Sequence, residues 1–306
     1  MINIKRVLCP TDLSPYSGDA VRYALALARV HDAELILLHC TKGTDRDEEP
    51  GLLESSLLAH VNPSDLIGAR WRAVVAFADD AGEEIMRQAQ LEHADLIVMR
   101  SRRRPHRAAL LGSTAESVCR SAPCPVLVMH SDEREFVSEE LGVDLKRVLV
   151  AYDFSDYSEL ALKYALAIAQ QHQAELHLLH VLPPRSLNDP EIAWYPAKGE
   201  SAYHTAARRL QRVVPAEVHL WCDVKTAVSE GNPYREILSY AEKNDIGLIS
   251  VGAHGAGFGM RALFGSNVDR VLRQAPCPVL VARPLKPGVV LAQLQKSQDV
   301  HVNGRA

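Results

Sequence analysis

The chain has 306 residues, 47% of them hydrophobic, enough to bury a sizeable core and, at about 150 residues per domain, to form two domains. Its 38 acidic and 34 basic side chains leave a formal net charge of -4, which denies it the basic field that binding along a nucleic-acid backbone draws on. No stretch of about 18 apolar residues runs uninterrupted, and MINIKRVLCPTD at the start reads as a strand and a polar turn rather than a signal peptide; we expect a cytoplasmic protein with no nucleic acid and no membrane as partner.

In chain order, an apolar strand beginning at Val7 runs into Thr11-Asp12, a helical pattern follows, and a second strand ends in Leu37-Leu38-His39. This segment recurs. Residues 7–39 lie on 148–180 without a gap, with 19 of 33 positions identical, and SAPCPVLVM at 121–129 mirrors QAPCPVLVA at 274–282. A repeat of that length is a duplicated domain. We place the copies at 1–131 and 145–285, joined by the polar, acidic stretch 131–144; the segment after Pro284 repeats nothing and reads as a loosely held tail. The second helical segment of the first copy, about 51–68, contains Gly51 and Pro63.

The second copy shows the alternation more clearly. Val148–Tyr152 reads as a buried strand, and 156–171 as a helix with Leu160, Tyr164, Ala167 and Ile168 at helical spacing. Ala174–Val181 is a second strand, 200–213 an arginine-bearing helix, Val218–Val224 a third strand, and Pro233–Lys243 a helix with proline in its first turn. Gly247–Val251, a helix over 265–274, and the strand Val279–Ala282 complete it. Strict alternation of strand and helix predicts an α/β fold: two tandem, doubly wound, Rossmann-like parallel sheets covered on both faces. The last strand of each copy is short, apolar and preceded by Pro-Cys-Pro. Such an edge needs covering, and pairing the two edges makes an intramolecular pseudo-dimer. The six cysteines include no C-x-x-C pair and read as small buried hydrophobes.

In open parallel sheets, ligands bind beyond the carboxyl ends of the strands, where the strand order reverses. There the second copy carries Gly252-Ala-His254-Gly255, nine further residues, and Gly265-Ser266 opening a helix. Glycines at 252 and 255 let the backbone take positive φ and approach an anion closely, exposed amides of loop and helix start converge on phosphate oxygens, and Ser266 offers a hydroxyl to a phosphate or to a metal riding on it. The pattern is neither a Walker loop, having no lysine at the helix start, nor the dinucleotide fingerprint, which follows the first strand.

The G-x2-G-x9-G-S loop resembles that of the universal stress protein family in its tandem form. The Thr-Asp and Tyr-Asp strand ends, the Leu-Leu-His strand ends, Gly231-x-Pro233 and the Pro-Cys-Pro-Val strands complete the resemblance, which spans about residues 2–284. It implies a stress-response regulator that binds ATP or AMP, with Mg2+ or Mn2+, in its second domain. By that resemblance Asp153 lies beside the adenosine, the backbone of Val181 meets the adenine edge, and Gly252, Gly255, Gly265 and Ser266 take ribose and phosphates. The family also holds members without ATP. Asp153 has a second reading as a cap on the following helix, and His180 as a satisfied buried histidine. His254, inside the loop, is placed to touch a phosphate.

The first copy departs from the pattern. Its counterpart, DLIVMRSRRRPHRAALLGST, sets Arg100 and Arg103 where the glycines belong, and Asp79-Asp80-Ala81 replaces Gly231-x-Pro233. Arginines there fill the phosphate space, so we expect no ATP in the first copy. Arg100, Arg102, Arg103, Arg104 and Arg107 form either an anion or partner-docking patch or a plug paired with nearby acids. Three functions stay open: a nucleotide sensor acting on a protein partner, a scaffold holding no nucleotide or another small ligand, and an enzyme such as a slow ATPase. For the last, spacing supports no Asp-His-Ser or paired-carboxylate arrangement, and binding alone accounts for Ser266, His254 and Arg261. Further association into a homodimer is left open.

Overall fold

The computed structural model describes residues 4–14, 17–42, 63–101, 112–130, 133–182, 202–254 and 265–283. The first half runs β1 (Arg6–Thr11), α1 (Gly18–Val30), β2 (Glu34–Thr41), a helical turn at Pro63–Leu66, β3 (Arg70–Phe77), α2 (Ala81–Leu91), β4 (Leu96–Arg100), α3 (Ser113–Ser121) and β5 (Val126–Met129). The second runs β6 (Arg147–Ala151), α4 (Asp156–His172), β7 (Glu175–Leu182), α5 (Ala202–Gln211), a 3-10 turn at Ala216–Leu220, β8 (Val224–Glu230), α6 (Pro233–Lys243), β9 (Leu248–Gly252), α7 (Ser266–Gln274) and β10 (Val279–Ala282). Most of the helical segment expected at 51–68, and the tail after Arg283, lie outside the described residues.

The strands form one ten-stranded sheet in the order β3-β2-β1-β4-β5-β10-β9-β6-β7-β8. Each half is parallel and doubly wound, and its order reverses between the first and fourth strands. β5 and β10 meet antiparallel, with Leu280 opposite Leu127 and Val279 opposite Val128. The two apolar edges thus cover each other, and the expected pseudo-dimer is a continuous sheet. Matched contacts lock this seam. Arg283, one residue past β10, donates to the Cys119 carbonyl of α3 at 3.0 Å, and His130, one residue past β5, donates through Nε2 to the Leu272 carbonyl of α7. Cys119 and Leu272 are themselves equivalent in the repeat.

One face of the sheet carries α1, α4 and α5, and the other α2, α3, α6 and α7, each over its own apolar layer. On α4 the stripe facing the sheet is Ala161, Leu162, Tyr164, Ala165 and Ala169. Leu160 and Ile168, expected there, pack half-buried at its margin. The alanines let the helix close on β9, where the buried hydroxyl of Ser250 donates to the Ala161 carbonyl at 3.0 Å. All six cysteines are free; five are buried and Cys40 is half-buried. Burial pushes the Cys9 thiol up to about 12, as a small inert hydrophobe requires.

One expectation needs correction. Val218–Val224 is not the third strand. Pro215 starts a 3-10 turn that buries Val218 and Cys222 on one side and leaves Leu220 exposed; the strand is Val224–Glu230, pairing with β7 from Leu176↔Val224 to Leu182↔Glu230. Its sequence, VKTAVSE, carries the charged residues that suit a sheet edge. The linker also packs more firmly than its polar composition suggests. Phe136, Val137 and Leu141 are buried, Val137 bridges Val143, and Phe136 meets Tyr23 of α1 edge-on at 4.9 Å, while the Phe136 amide donates to the Tyr23 hydroxyl at 2.9 Å.

Candidate functional site

The crevice between β6 and β9 is the switch point of the second half. β6 ends in Tyr152-Asp153, and the chain turns there through Phe154 at φ 64°, a left-handed conformation that costs a non-glycine residue about 1–2 kcal/mol. Asp153 Oδ1 supports the turn by accepting from the Ser155 amide at 3.1 Å and the Ser155 hydroxyl at 2.5 Å. The cap of α4 is Ser155, whose Oγ accepts from the Ser158 amide at 3.2 Å, so Asp153 shapes the approach to the helix rather than capping it. The first half repeats the device with Leu13 at φ 57° and Asp12 accepting from Ser14.

Behind this turn lies an aromatic cluster. The Phe154 ring stands 5.3 Å from that of Tyr152 and 4.7 Å from that of His180, and the Arg209 guanidinium lies 3.9 Å from the Phe154 centroid, within cation–π range. Neither Phe154 nor Arg209 carries a motif; their only sequence signals are the turn position and the arginines of α5. His180 Nδ1 donates to the Tyr152 carbonyl at 2.8 Å, and burial lowers its pKa, so the ring is neutral near pH 7. Its buried Nε2 has no hydrogen-bond partner among the described residues. The histidine is only half satisfied.

Val181 lies two residues beyond the last β6–β7 rung, Ala151↔Leu179. The Leu179 carbonyl accepts from Tyr152 on the β6 side, and the Leu182 carbonyl accepts from Gly231 on the β8 side. Strand alternation therefore turns the peptide groups of Val181 toward the β6 side, past the end of that strand.

The structure brings Gly252, His254, Gly265 and Ser266 together. The Ala253 amide donates to Ala282 on β10, and the Gly265 amide returns to the Ala253 carbonyl at 3.4 Å, which sets the start of α7 beside the end of β9. Gly265 occupies the cap position and supplies no side chain. The first amides of α7 have no acceptor within the helix, and the exposed Ser266 opens it. Gly255 lies outside the described residues.

The reason expected for Gly252 is wrong. Its φ is not positive; instead a Cβ there would sit 2.6 Å from the backbone carbon of Tyr157, so glycine is needed to seat the first turn of α4. Gly265 differs. Its φ is -58°, and among the described residues an added Cβ would meet nothing nearer than Val268 Cγ2 at 3.6 Å. The His254 ring packs on Tyr157 at 5.0 Å, its Nδ1 is buried with no partner among the described residues, and burial, then Arg283, lowers its pKa.

In the first half Arg100 closes β4 where Gly252 closes β9. The guanidinium folds onto Asp19 of α1, a paired-acid arrangement, and Arg100 lines a cavity of about 450 Å³ together with Thr11, Asp12, Ser14, Ser101, Gly112 and Ser113 among others. Arg102, Arg103, Arg104, Arg107 and Arg261 lie outside the described residues. Among the described residues no three His, Cys, Asp or Glu side chains are grouped to hold a metal, and no helix is long and apolar enough to cross a membrane.

The universal stress protein family model matches this chain twice, over residues 3–130 and 144–283. The chain belongs to the universal stress protein family. A universal stress protein of Mycolicibacterium smegmatis is 28% identical over 298 residues, which cover 91% of this chain and 97% of the relative. One from Methanocaldococcus jannaschii is 31% identical over 147 residues, 46% of this chain and 84% of its own. The crystal structure of a universal stress protein from Archaeoglobus fulgidus superposes with a TM-score of 0.64 at 25% identity, covering 91% of this chain and 98% of that one. A functionally unknown protein of Pseudomonas aeruginosa shares the fold over 97% of this chain and 98% of its own, with a TM-score of 0.65 at 20% identity.

Proposed function

We propose that this universal stress protein is a regulator that binds ATP or AMP in its second half and passes the occupancy of that site to a protein partner. The observation that carries the reading is Gly265. Its backbone angles and its neighbours among the described residues both admit a side chain, so the missing Cβ is best explained by something that approaches from outside, at the positive end of a helix. The nucleotide would lay its adenine edge on the Val181 peptide, its ribose near Asp153 and Gly252, and its phosphates over Gly255, Gly265, Ser266 and His254. A divalent metal, Mg2+ or Mn2+, would ride on the phosphates, with the Ser266 hydroxyl as the protein's contribution. We take the two domains as 1–131 and 145–285, in the cytoplasm.

Isothermal titration should find one nucleotide per chain, with binding lost in Gly265→Val. A flat titration at millimolar ATP with Mg2+ or Mn2+ overturns the proposal. Phosphate release that disappears in Ser266→Ala would add a slow ATPase activity to it. The cavity beside Arg100 favours a second reading, a scaffold that holds another small ligand. Mass spectrometry of ligand released from freshly purified protein separates the two.

A further inference from the structure

The repeat places two histidines at equivalent positions, 141 residues apart: His31 follows α1 and His172 ends α4. The sheet seam then brings these helix ends together, because α1 and α4 share one face and are related by the pseudo-twofold axis of the β5–β10 pair. Next to the histidines, the Gln171 side-chain amide crosses the halves to donate to the Val30 carbonyl at 3.3 Å. After both helices the chain turns away through left-handed residues, Asp32 at φ 49° and Gln173 at φ 53°. The imidazole rings face each other nearly at right angles, with centroids 6.4 Å apart.

At that spacing the rings do not hydrogen-bond to each other. The Nε2 atoms of both are nevertheless buried and without a partner among the described residues, and buried polar atoms in that state call for an explanation. A metal ion about 2 Å from each Nε2, with each ring centroid about 1 Å behind its nitrogen, spans about 6 Å between centroids when the two nitrogens lie on opposite sides of the ion, and about 5 Å at a tetrahedral angle. The observed separation matches the opposed arrangement, which a square-planar copper site provides and a tetrahedral zinc site does not. Burial holds His31 below its ordinary range, and burial and the neighbouring ring bring His172 to about 4, so both nitrogens keep the lone pair that a metal takes.

We propose that His31 and His172 form a transition-metal site on the pseudo-twofold axis, in which one copper ion bridges the two halves through the Nε2 atoms, with solvent completing its coordination. Two neutral imidazoles with no nearby carboxylate or thiol in the described set suit late first-row metals rather than Mg2+ or Ca2+. The ion would cross-link α1 to α4 and strengthen the seam from the helix side. It is independent of the nucleotide crevice, which lies at the opposite, carboxyl ends of the strands.

The test is titration of the full chain, free of metal and affinity tag, with Cu2+ at neutral pH. Thermal unfolding is followed in parallel with and without the ion, for wild type, His31→Gln, His172→Gln and the double variant. The expected result is one high-affinity ion per chain, a rise in the unfolding midpoint on loading, and loss of both in each single variant. Removing one of two ligands should weaken binding by more than the roughly 10–100-fold typical of losing a partner that only orients a ligand. Unfolding curves of the metal-free variants establish that they fold. Equal binding by wild type and double variant would move the ion to other histidines, and no binding at about 100-micromolar levels would remove the site; either overturns the proposal.

Discussion

Two glycines of one loop motif answer to different forces. Gly252 is held by the Tyr157 backbone, 2.6 Å from where its Cβ would lie, so Gly252→Ala should destabilise the chain by about 1–3 kcal/mol through overpacking, measured by urea unfolding. Gly265→Ala should leave stability within about 1 kcal/mol of wild type yet weaken nucleotide binding. A variant at Gly265 that loses stability and keeps its affinity would reverse the assignment. His180 sets a pH dependence. Its folded pKa lies below the unfolded value because burial disfavours the cation, so the unfolded chain takes up the proton first. The stability it contributes is complete above the unfolded pKa of about 6.5 and is lost as pH falls toward the folded value. Between pH 7.5 and 5, thermal midpoints should fall more steeply for wild type than for His180→Gln.

At the scale of elements, the start of α4 near residue 156 was readable, but its cap, read as Asp153, and one strand were not. Ser155 accepts from the Ser158 amide, and Asp80, at the start of α2, accepts from the Glu83 amide at 3.0 Å. Each is a local contact three residues long, and each replacement by alanine should cost about 1 kcal/mol, read from chemical denaturation. The Asp80 cap also shows how the first half starts its helix without the Gly231-x-Pro233 of the second, where Gly231 adopts φ 151°. β8 was misplaced because VHLWCDV alternates like a strand, while the true edge strand carries lysine, serine and glutamate. Alternation reports burial on one side; it does not distinguish a strand from a 3-10 turn that buries Val218 and Cys222 with similar spacing.

For the whole molecule, the seam is the decisive contact. Leu127 and Leu280 face each other across β5 and β10 at 3% and 1% exposure. An aspartate at either site would put a carboxylate into a dry interface, where ionisation is strongly disfavoured. Leu127→Asp combined with Leu280→Asp should split the single unfolding transition into two and expose the linker to protease. A single cooperative transition in the double variant would show that the linker and the Arg283 and His130 bonds hold the halves without the strands.

The sequence by itself determined the duplication, the alternating α/β architecture, the apolar edges that seek each other, and the glycine-serine loop that points to the family. All of these are written in short-range periodicity or in self-similarity, so a local pattern carries them. Only the tertiary structure decided that a Cβ is barred at Gly252 by packing but meets only ordinary contacts among the described residues at Gly265, that Arg100 pairs with Asp19 at the edge of a cavity, that Phe154 and Arg209 back the crevice, and that His31 meets His172. Each depends on contacts between residues tens to more than a hundred positions apart, and chain closure over such distances is set by the sheet order as a whole rather than by any stretch of residues along it.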